Sequence, residues 1–247
     1  MPEILPLYSG SSGNSTYIKN GGQGLLVDAG VSGKKICEAL GEYADKVSGI
    51  LVTHEHTDHS AAVGTLARKF KVPVFATHKT LCNMNIGNVP DELIKIISPG
   101  KGFEAAGMEI NPFSIPHDAA DPVGYSFCHG GDKVTVATDI GAMNERLFMA
   151  ISKSREILLE SNHDVKMLMG GEYPVWLKQR IRGKLGHLSN EEAAATCTRL
   201  IGLGTTSIYL GHLSRENNIP SRAYEVSAAA IEKCGAVIGR DVLLKVV

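Results

Sequence analysis

What the sequence lacks removes several classes of protein. It has no run of about 18 apolar residues, so no transmembrane helix is expected. Its five cysteines (Cys37, Cys82, Cys128, Cys197 and Cys234) are odd in number, widely spaced and without a Cys-x-x-Cys pair. Neither a cysteine zinc knuckle nor a thioredoxin-like pair is expected; free, mostly buried thiols in a reducing compartment are the simpler reading. The opening Met1-Pro2-Glu3-Ile4-Leu5-Pro6 has no basic segment followed by an apolar one. No signal peptide is read there, and a cytoplasmic location is expected. Excess charge is missing too: 25 Lys and Arg stand against 26 Asp and Glu. That excludes the global signature of a strongly basic nucleic-acid binder but leaves a local basic surface open. Repeats, low-complexity linkers and composition breaks are absent. With 43% hydrophobic and 21% charged residues, the chain is not disordered, collagen-like or a coiled coil. A single domain over 1–247 is expected.

The apolar runs alternate with helical patterns. Strands are expected over 4–8, 16–19 and 25–28, then a helix capped by Ser32 and running to about Tyr43. A buried strand over 49–53 leads to a helix capped by Ser60, and a further strand covers 72–76. The middle is strand-rich, at 93–97, 108–115, 124–128, 134–138 and 157–160. Helices follow at 174–182, 189–201 and 221–233, with strands at 207–210 and 242–246. Two packed sheets flanked by helices suit this alternation.

The strongest chemical signal is Thr53-His54-Glu55-His56-Thr57-Asp58-His59. Neutral imidazoles and carboxylates are the donors that Zn²⁺ and similar divalent ions take. His54 and His56, two apart on extended chain, point the same way, while Asp58 and His59 sit where the chain turns into a helix. Too few donors lie here for two ions, so others should come from strand ends. His117, Asp139 and His212 each occupy the first turn after an apolar run. Taken singly, each also reads as an ordinary turn residue.

The set His54-x-His56-x-Asp58-His59, His117, Asp139 and His212 resembles the metallo-β-lactamase superfamily. The resemblance implies an α/β fold, the αββα sandwich of two mixed sheets flanked by helices, with a two-metal site. It implies that His54, His56 and His117 hold one ion, that Asp58, His59 and His212 hold the other, and that Asp139 bridges. Asp28 matches an early aspartate that supports the site from behind. The zinc β-lactamases typically place Cys where this chain has Asp139, which argues against an antibiotic-degrading enzyme. The two ions, Zn²⁺, Mn²⁺ or Fe by donor chemistry, lower the pKa of a shared water and leave the site net positive, which suits an anionic substrate.

Other segments bear on the substrate. Gly186-His187-Leu188-Ser189 resembles a His-x-Ser/Thr segment of RNase Z-like phosphodiesterases, making His187 the candidate general acid; the other reading is a loop histidine ahead of a capped helix. Lys178-Gln179-Arg180-Ile181-Arg182-Gly183-Lys184 reads either as phosphate-binding or as a solvated face. Arg215 is a further candidate phosphate contact. Asn162 and His163, in Glu160-Ser161-Asn162-His163-Asp164, read as a site edge or a polar turn. Ser12 and Asn14, in Ser9-Gly10-Ser11-Ser12-Gly13-Asn14, read as an anion-facing loop or a tight turn. The Ser-Gly-Ser-Ser-Gly-Asn-Ser loop, Thr-His-Glu-His-Thr-Asp-His, Ala-Thr-Asp-Ile-Gly, Glu-Ser-Asn-His-Asp and Gly-His-Leu-Ser together look like the bacterial YycJ (WalJ) group, whose members are regarded as exonuclease-type phosphodiesterases acting from the 5′ end of DNA. The expected function is therefore a dinuclear metal-dependent phosphodiester hydrolase, a 5′→3′ exodeoxyribonuclease using a metal-activated hydroxide, with a DNA strand end as partner and no membrane. The alternatives are a hydrolase of small esters, lactones, thioesters or cyclic phosphodiesters on the same site, and a binding module that keeps the metals for structure or sensing.

Overall fold

The computed structural model describes all 247 residues, which form two compact units. The first comprises 1–114 and 119–132; the second comprises 115–118 and 133–247.

The first unit is built on a six-stranded mixed sheet in simple sequence order. Strands β1 (Pro2–Tyr8), β2 (Ser15–Asn20) and β3 (Gln23–Val27) pair antiparallel through short turns. From β3 onward the pairing with β4 (Val47–Leu51), β5 (Val74–Thr77) and β6 (Ile94–Ile97) is parallel. Parallel neighbours need crossovers, here carrying α1 (Gly33–Leu40), α2 (Thr57–Ser60), α3 (Val63–Phe70) and α4 (His78–Asn83). Ser32 caps α1 as its sequence suggests. Ile36 and Leu40 of α1 and Val63, Leu66 and Ala67 of α3 are buried with Leu26, Ile50, Val52 and Val74 in one apolar core. The unit closes with the antiparallel run β7 (Phe103–Ala105), β8 (Met108–Ser114) and β9 (Val123–His129).

The second unit contains the parallel strands β10 (Asp132–Ala137, from Lys133), β11 (Glu156–Glu160), β12 (Ser207–Gly211) and β13 (Leu243–Val246), each paired with the next. All of β11 is buried, as a central parallel strand covered on both faces should be. Its connections carry α5 (Glu145–Ile151), α6 (Val165–Gly170), α7 (Val175–Ile181), α8 (Asn190–Ile201) and α9 (Pro220–Lys233). Ser189 caps α8 in a reciprocal box with Glu192. No helix is long and apolar enough to cross a membrane.

One expected cap is displaced. Ser60 ends α2 rather than starting a helix, and its hydroxyl donates back to the carbonyls of Glu55 and His56. The next helix, α3, starts after Ala62 with no side-chain cap. Helices α4, α5 and α6 have no counterpart in the sequence pattern; with six or seven residues each, they are too short to show a periodic face. Their caps Thr77, Asn144 and Asp164 each accept from a backbone N–H of the first turn.

Candidate metal centre

In both units the candidate residues follow the C-terminal ends of strands, where parallel α/β sheets carry their ligands. Three of them pay in backbone strain: Asp28, Asp139 and His212 have φ of 61°, 60° and 56°. The left-handed region costs a non-glycine residue about 1–2 kcal/mol, and it persists only where the surroundings fix it. Each of the three turns the chain sharply just beyond a strand (β3, β10 and β12).

In the first unit, Asp28 is buried and organises the histidine run. It accepts from the Thr53 backbone N–H at 2.8 Å and from the Thr53 hydroxyl at 2.8 Å. Its Oδ2 also lies 2.8 Å from His59 Nδ1. Burial raises the Asp28 carboxyl above its usual range, although His59 and Thr53 oppose the rise. With Nδ1 donating to Asp28, His59 presents Nε2, which lies 3.5 Å from Asp58 Oδ2. The Thr53 hydroxyl also lies 2.9 Å from His54 Nδ1, leaving His54 Nε2 directed at His56 Nδ1, 3.1 Å away. The two neutral rings either share one proton in a hydrogen bond or both present lone pairs to a cation.

Asn14 and Gly30 hold this loop. Asn14 Nδ2 lies 3.1 Å from His59 Nε2, while its Oδ1 accepts from Gly10 N–H. Asn14 N–H donates to the Asp58 carbonyl at 2.7 Å, and Gly30 N–H to the Asn14 carbonyl at 2.8 Å. A Cβ on Gly30 would fall 1.6 Å from the Asp58 carbonyl oxygen. Gly30→Ala is therefore expected to displace Asp58 and His59 and to lower activity about a hundredfold, the cost of misplacing reacting groups by about 1 Å. An active Gly30→Ala enzyme with unchanged kcat would show that the loop tolerates the shift. Ser12 lies exposed in the same loop.

In the second unit the organiser is Glu160, fully buried at the end of β11. Its Oε1 lies 2.8 Å from His187 Nδ1 and 2.7 Å from His212 Nδ1. Its Oε2 accepts from the backbone N–H groups of Ile140 (2.7 Å) and Leu188 (3.0 Å). Burial alone would raise this carboxyl, but His187 and His212 outweigh it and bring it down to about 2. His187 and His212 are thereby fixed with Nε2 turned away from Glu160. His117 shows the same device, its Nδ1 3.2 Å from the Gly186 carbonyl. Burial lowers the His117 pKa, against the pull of Asp139. Asp139 Oδ1 lies 3.5 Å from His212 Nδ1 and 3.8 Å from His117 Nε2. One donor atom each from Asp139, Glu160, His187 and His212 lies within 4.8 Å of the others, with Glu160 tying the two imidazoles together by their Nδ1 atoms.

The polar residues after β11 turn inward. Asn162 and His163, read as substrate contacts, are 5% and 1% exposed. Asn162 Nδ2 donates to the His212 carbonyl at 2.9 Å and so braces that strained turn. Burial pushes His163 down to about 4, keeping it neutral, and its Nδ1 has no hydrogen-bond partner. Arg215 lies exposed beyond His212. Sequence reading missed the roles of Glu160, Asn14 and Gly30. Glu160 was visible only as a carboxylate closing an apolar run.

Comparison with known proteins places this geometry. The sequence pattern of the metallo-beta-lactamase superfamily matches residues 8–212. The chain is 41% identical over 239 residues to the exodeoxyribonuclease YycJ of Bacillus anthracis, covering 94% of this chain and 90% of that one. It is 40% identical over 242 residues to the exodeoxyribonuclease WalJ of Streptococcus pneumoniae serotype 2 (strain D39 / NCTC 7466), covering 95% and 90%. The crystal structure of the metallo-beta-lactamase fold protein YhfI from Bacillus subtilis matches with a TM-score of 0.72 at 16% identity, over 99% of this chain and 95% of that one. The fold is thus the αββα type expected from the motifs, with two mixed sheets flanked by helices. On the extent of the family match and on its clustered histidines and carboxylates, the chain belongs to the metallo-β-lactamase superfamily and is a metal-dependent hydrolase.

Proposed function

We propose that the protein is a phosphodiesterase that removes nucleotides from a DNA strand end, a 5′→3′ exodeoxyribonuclease working in the cytoplasm as one domain over 1–247. The observation that carries the reading is the set of histidines whose Nδ1 is tied to an oxygen, so that Nε2 is turned away from it: His59, His117, His187 and His212. Similarity to two exodeoxyribonucleases over nearly their whole length supports the choice of substrate. Five free cysteines support a reducing compartment.

On this reading two divalent ions, Zn²⁺ or Mn²⁺ with Fe as a further option, are held as the family pattern implies. His54, His56 and His117 would hold one, Asp58, His59 and His212 the other, and Asp139 would serve as a shared ligand. When bound, such ions supply Lewis-acid stabilisation of a phosphoryl oxygen and a nucleophile at neutral pH. The chain's own residues do the rest. Asp28 and Glu160 orient the imidazoles they touch. His187, with 22% of its side chain exposed while Glu160 is buried, is free to meet substrate and hand a proton from Nε2 to the leaving oxygen. The Glu160 carboxylate holds the His187 ring through Nδ1, so that Nε2 faces away from it. Arg215 and Ser12, both exposed, are the proposed phosphate contacts.

The direct test is end-labelled single-stranded DNA incubated with Mn²⁺- or Zn²⁺-loaded protein. Stepwise release of nucleotides from the 5′ end is expected. Intact DNA beside hydrolysis of small esters or cyclic phosphodiesters would instead select that chemistry. His187→Ala is expected to slow a substrate with a poor alkoxide leaving group by about 10²–10⁴-fold, the usual worth of general acid catalysis, and one with an activated aryl leaving group far less. Equal losses on both substrates would remove His187 from the proton transfer.

A further inference from the structure

The only tryptophan in the chain, Trp176, lies on α7 and is 64% exposed. A surface helix normally buries one apolar stripe. Helix α7 buries none of its residues and leaves Val175 70% exposed as well, with Met169 and Leu185 also open to solvent. Such grouped apolar exposure marks a binding surface more often than a plain protein surface.

The helix offers two adjoining faces. Val175, Lys178, Gln179 and Arg182, spaced three and four apart, line a cavity of about 420 Å³ with Met169. Trp176 and Arg180, four apart, share the next face. That face leads to the metal centre: Arg180 Nε donates to Asp118 Oδ2 at 2.5 Å, and Asp118 Oδ1 lies 3.4 Å from His117 Nε2. Asp118 N–H in turn donates to the carbonyl of Leu185, just before His187.

Charge selects the occupant. The overall charge is −1, yet residues 165–187 carry five Lys and Arg against the single acid Glu172. Not all five are available. Lys178 Nζ closes α6 by donating to the carbonyls of Met169 and Gly171, and Arg180 is committed to Asp118. Arg182 and Lys184 are exposed and meet no carboxylate; Arg182 Nη1 has only the Met169 sulfur at 3.5 Å. An exposed indole on a helix that is followed by two unpaired cations suits a strand of bases and phosphates, because every base has a face to stack and every linkage a negative charge. A duplex hides those faces. We propose that Trp176, with Arg182 and Lys184, is a stacking platform for unpaired DNA whose end lies toward His117.

This inference rests on the nuclease reading and is tested apart from it. Because Trp176 is alone in the chain, its fluorescence reports this surface without labelling. Titrating metal-loaded protein with a short single-stranded oligonucleotide is expected to quench and shift the emission. Trp176→Ala is expected to raise KM for that oligonucleotide about fivefold to a hundredfold, the range of base–aromatic stacking, with little change in kcat. Trp176→Phe should restore most of the affinity, and the melting temperature should stay unchanged because the Trp176 side chain is itself exposed. Digestion of DNA with no quenching and a normal KM in Trp176→Ala would overturn the platform and leave the nuclease reading intact. Quenching by duplex but not by single strands would overturn the commitment to unpaired bases. A fall from dimer to monomer in sedimentation of Trp176→Ala would make the surface a contact between copies instead. Absence of any DNA cleavage or quenching would remove both readings.

Discussion

Replacing Asp58 by alanine is expected to abolish phosphodiester hydrolysis while leaving the protein folded. The side chain is about one-third exposed and its Oδ2 approaches His59 Nε2 at 3.5 Å. The loop itself is held by backbone bonds that the substitution leaves in place, since it is the Asp58 carbonyl that accepts from Asn14. Asp28 continues to fix His59 from the other side. What is lost is one anionic donor from the set proposed for the second ion. Losing the several kcal/mol of charge stabilisation that an ion supplies corresponds to about a thousandfold or more in rate. Metal analysis should show one ion per chain missing or weakly held, and the thermal transition should stay cooperative. Asp58→Asn should behave almost as badly, because an amide keeps the shape but not the charge. A fully active Asp58→Ala protein with its complete metal content would overturn the ligand assignment.

The histidine run was legible because its donors are adjacent in sequence, and a strand followed by His-x-His-x-Asp-His has few other uses. His117, Asp139 and His212 stand out as candidates for a different reason: each comes just after an apolar strand, and Asp139 and His212 follow the parallel β10 and β12, at the strand ends where such folds gather chemistry. The supporting groups were harder to see. Glu160 joins Ile140, His187, Leu188 and His212, segments up to 52 residues away, and no local pattern announces such a hub. Asn162 and His163 show the converse. A polar run after a strand reads alike whether its groups face a ligand or knit a turn, and only burial separates the two. Ser60 was misplaced because the same hydroxyl that caps a helix start can close a helix end by donating to carbonyls.

Glu160 is also where a conservative substitution should do unexpected damage. Both of its oxygens act only as acceptors, two bonds to each. Glutamine keeps the shape but must point its NH₂ at two donors, the backbone pair or the imidazole pair, whichever way it turns. Glu160→Gln is therefore expected to lose about 3–5 kcal/mol of stability, the cost of breaking a buried charged network. At a temperature where it remains folded, its activity should still fall about 10–100-fold, as for other groups that orient metal-ligating histidines. The pH dependence supplies an independent readout. The folded Glu160 pKa, about 2, lies below the ordinary 4.5, so its stabilisation is complete above about 4.5 and is lost as pH falls toward 2. Denaturant midpoints of the wild type should drop across that interval, and Glu160→Gln should flatten the drop. A variant that melts with the wild type and turns over within twofold of it would show that His187 and His212 hold their places without Glu160.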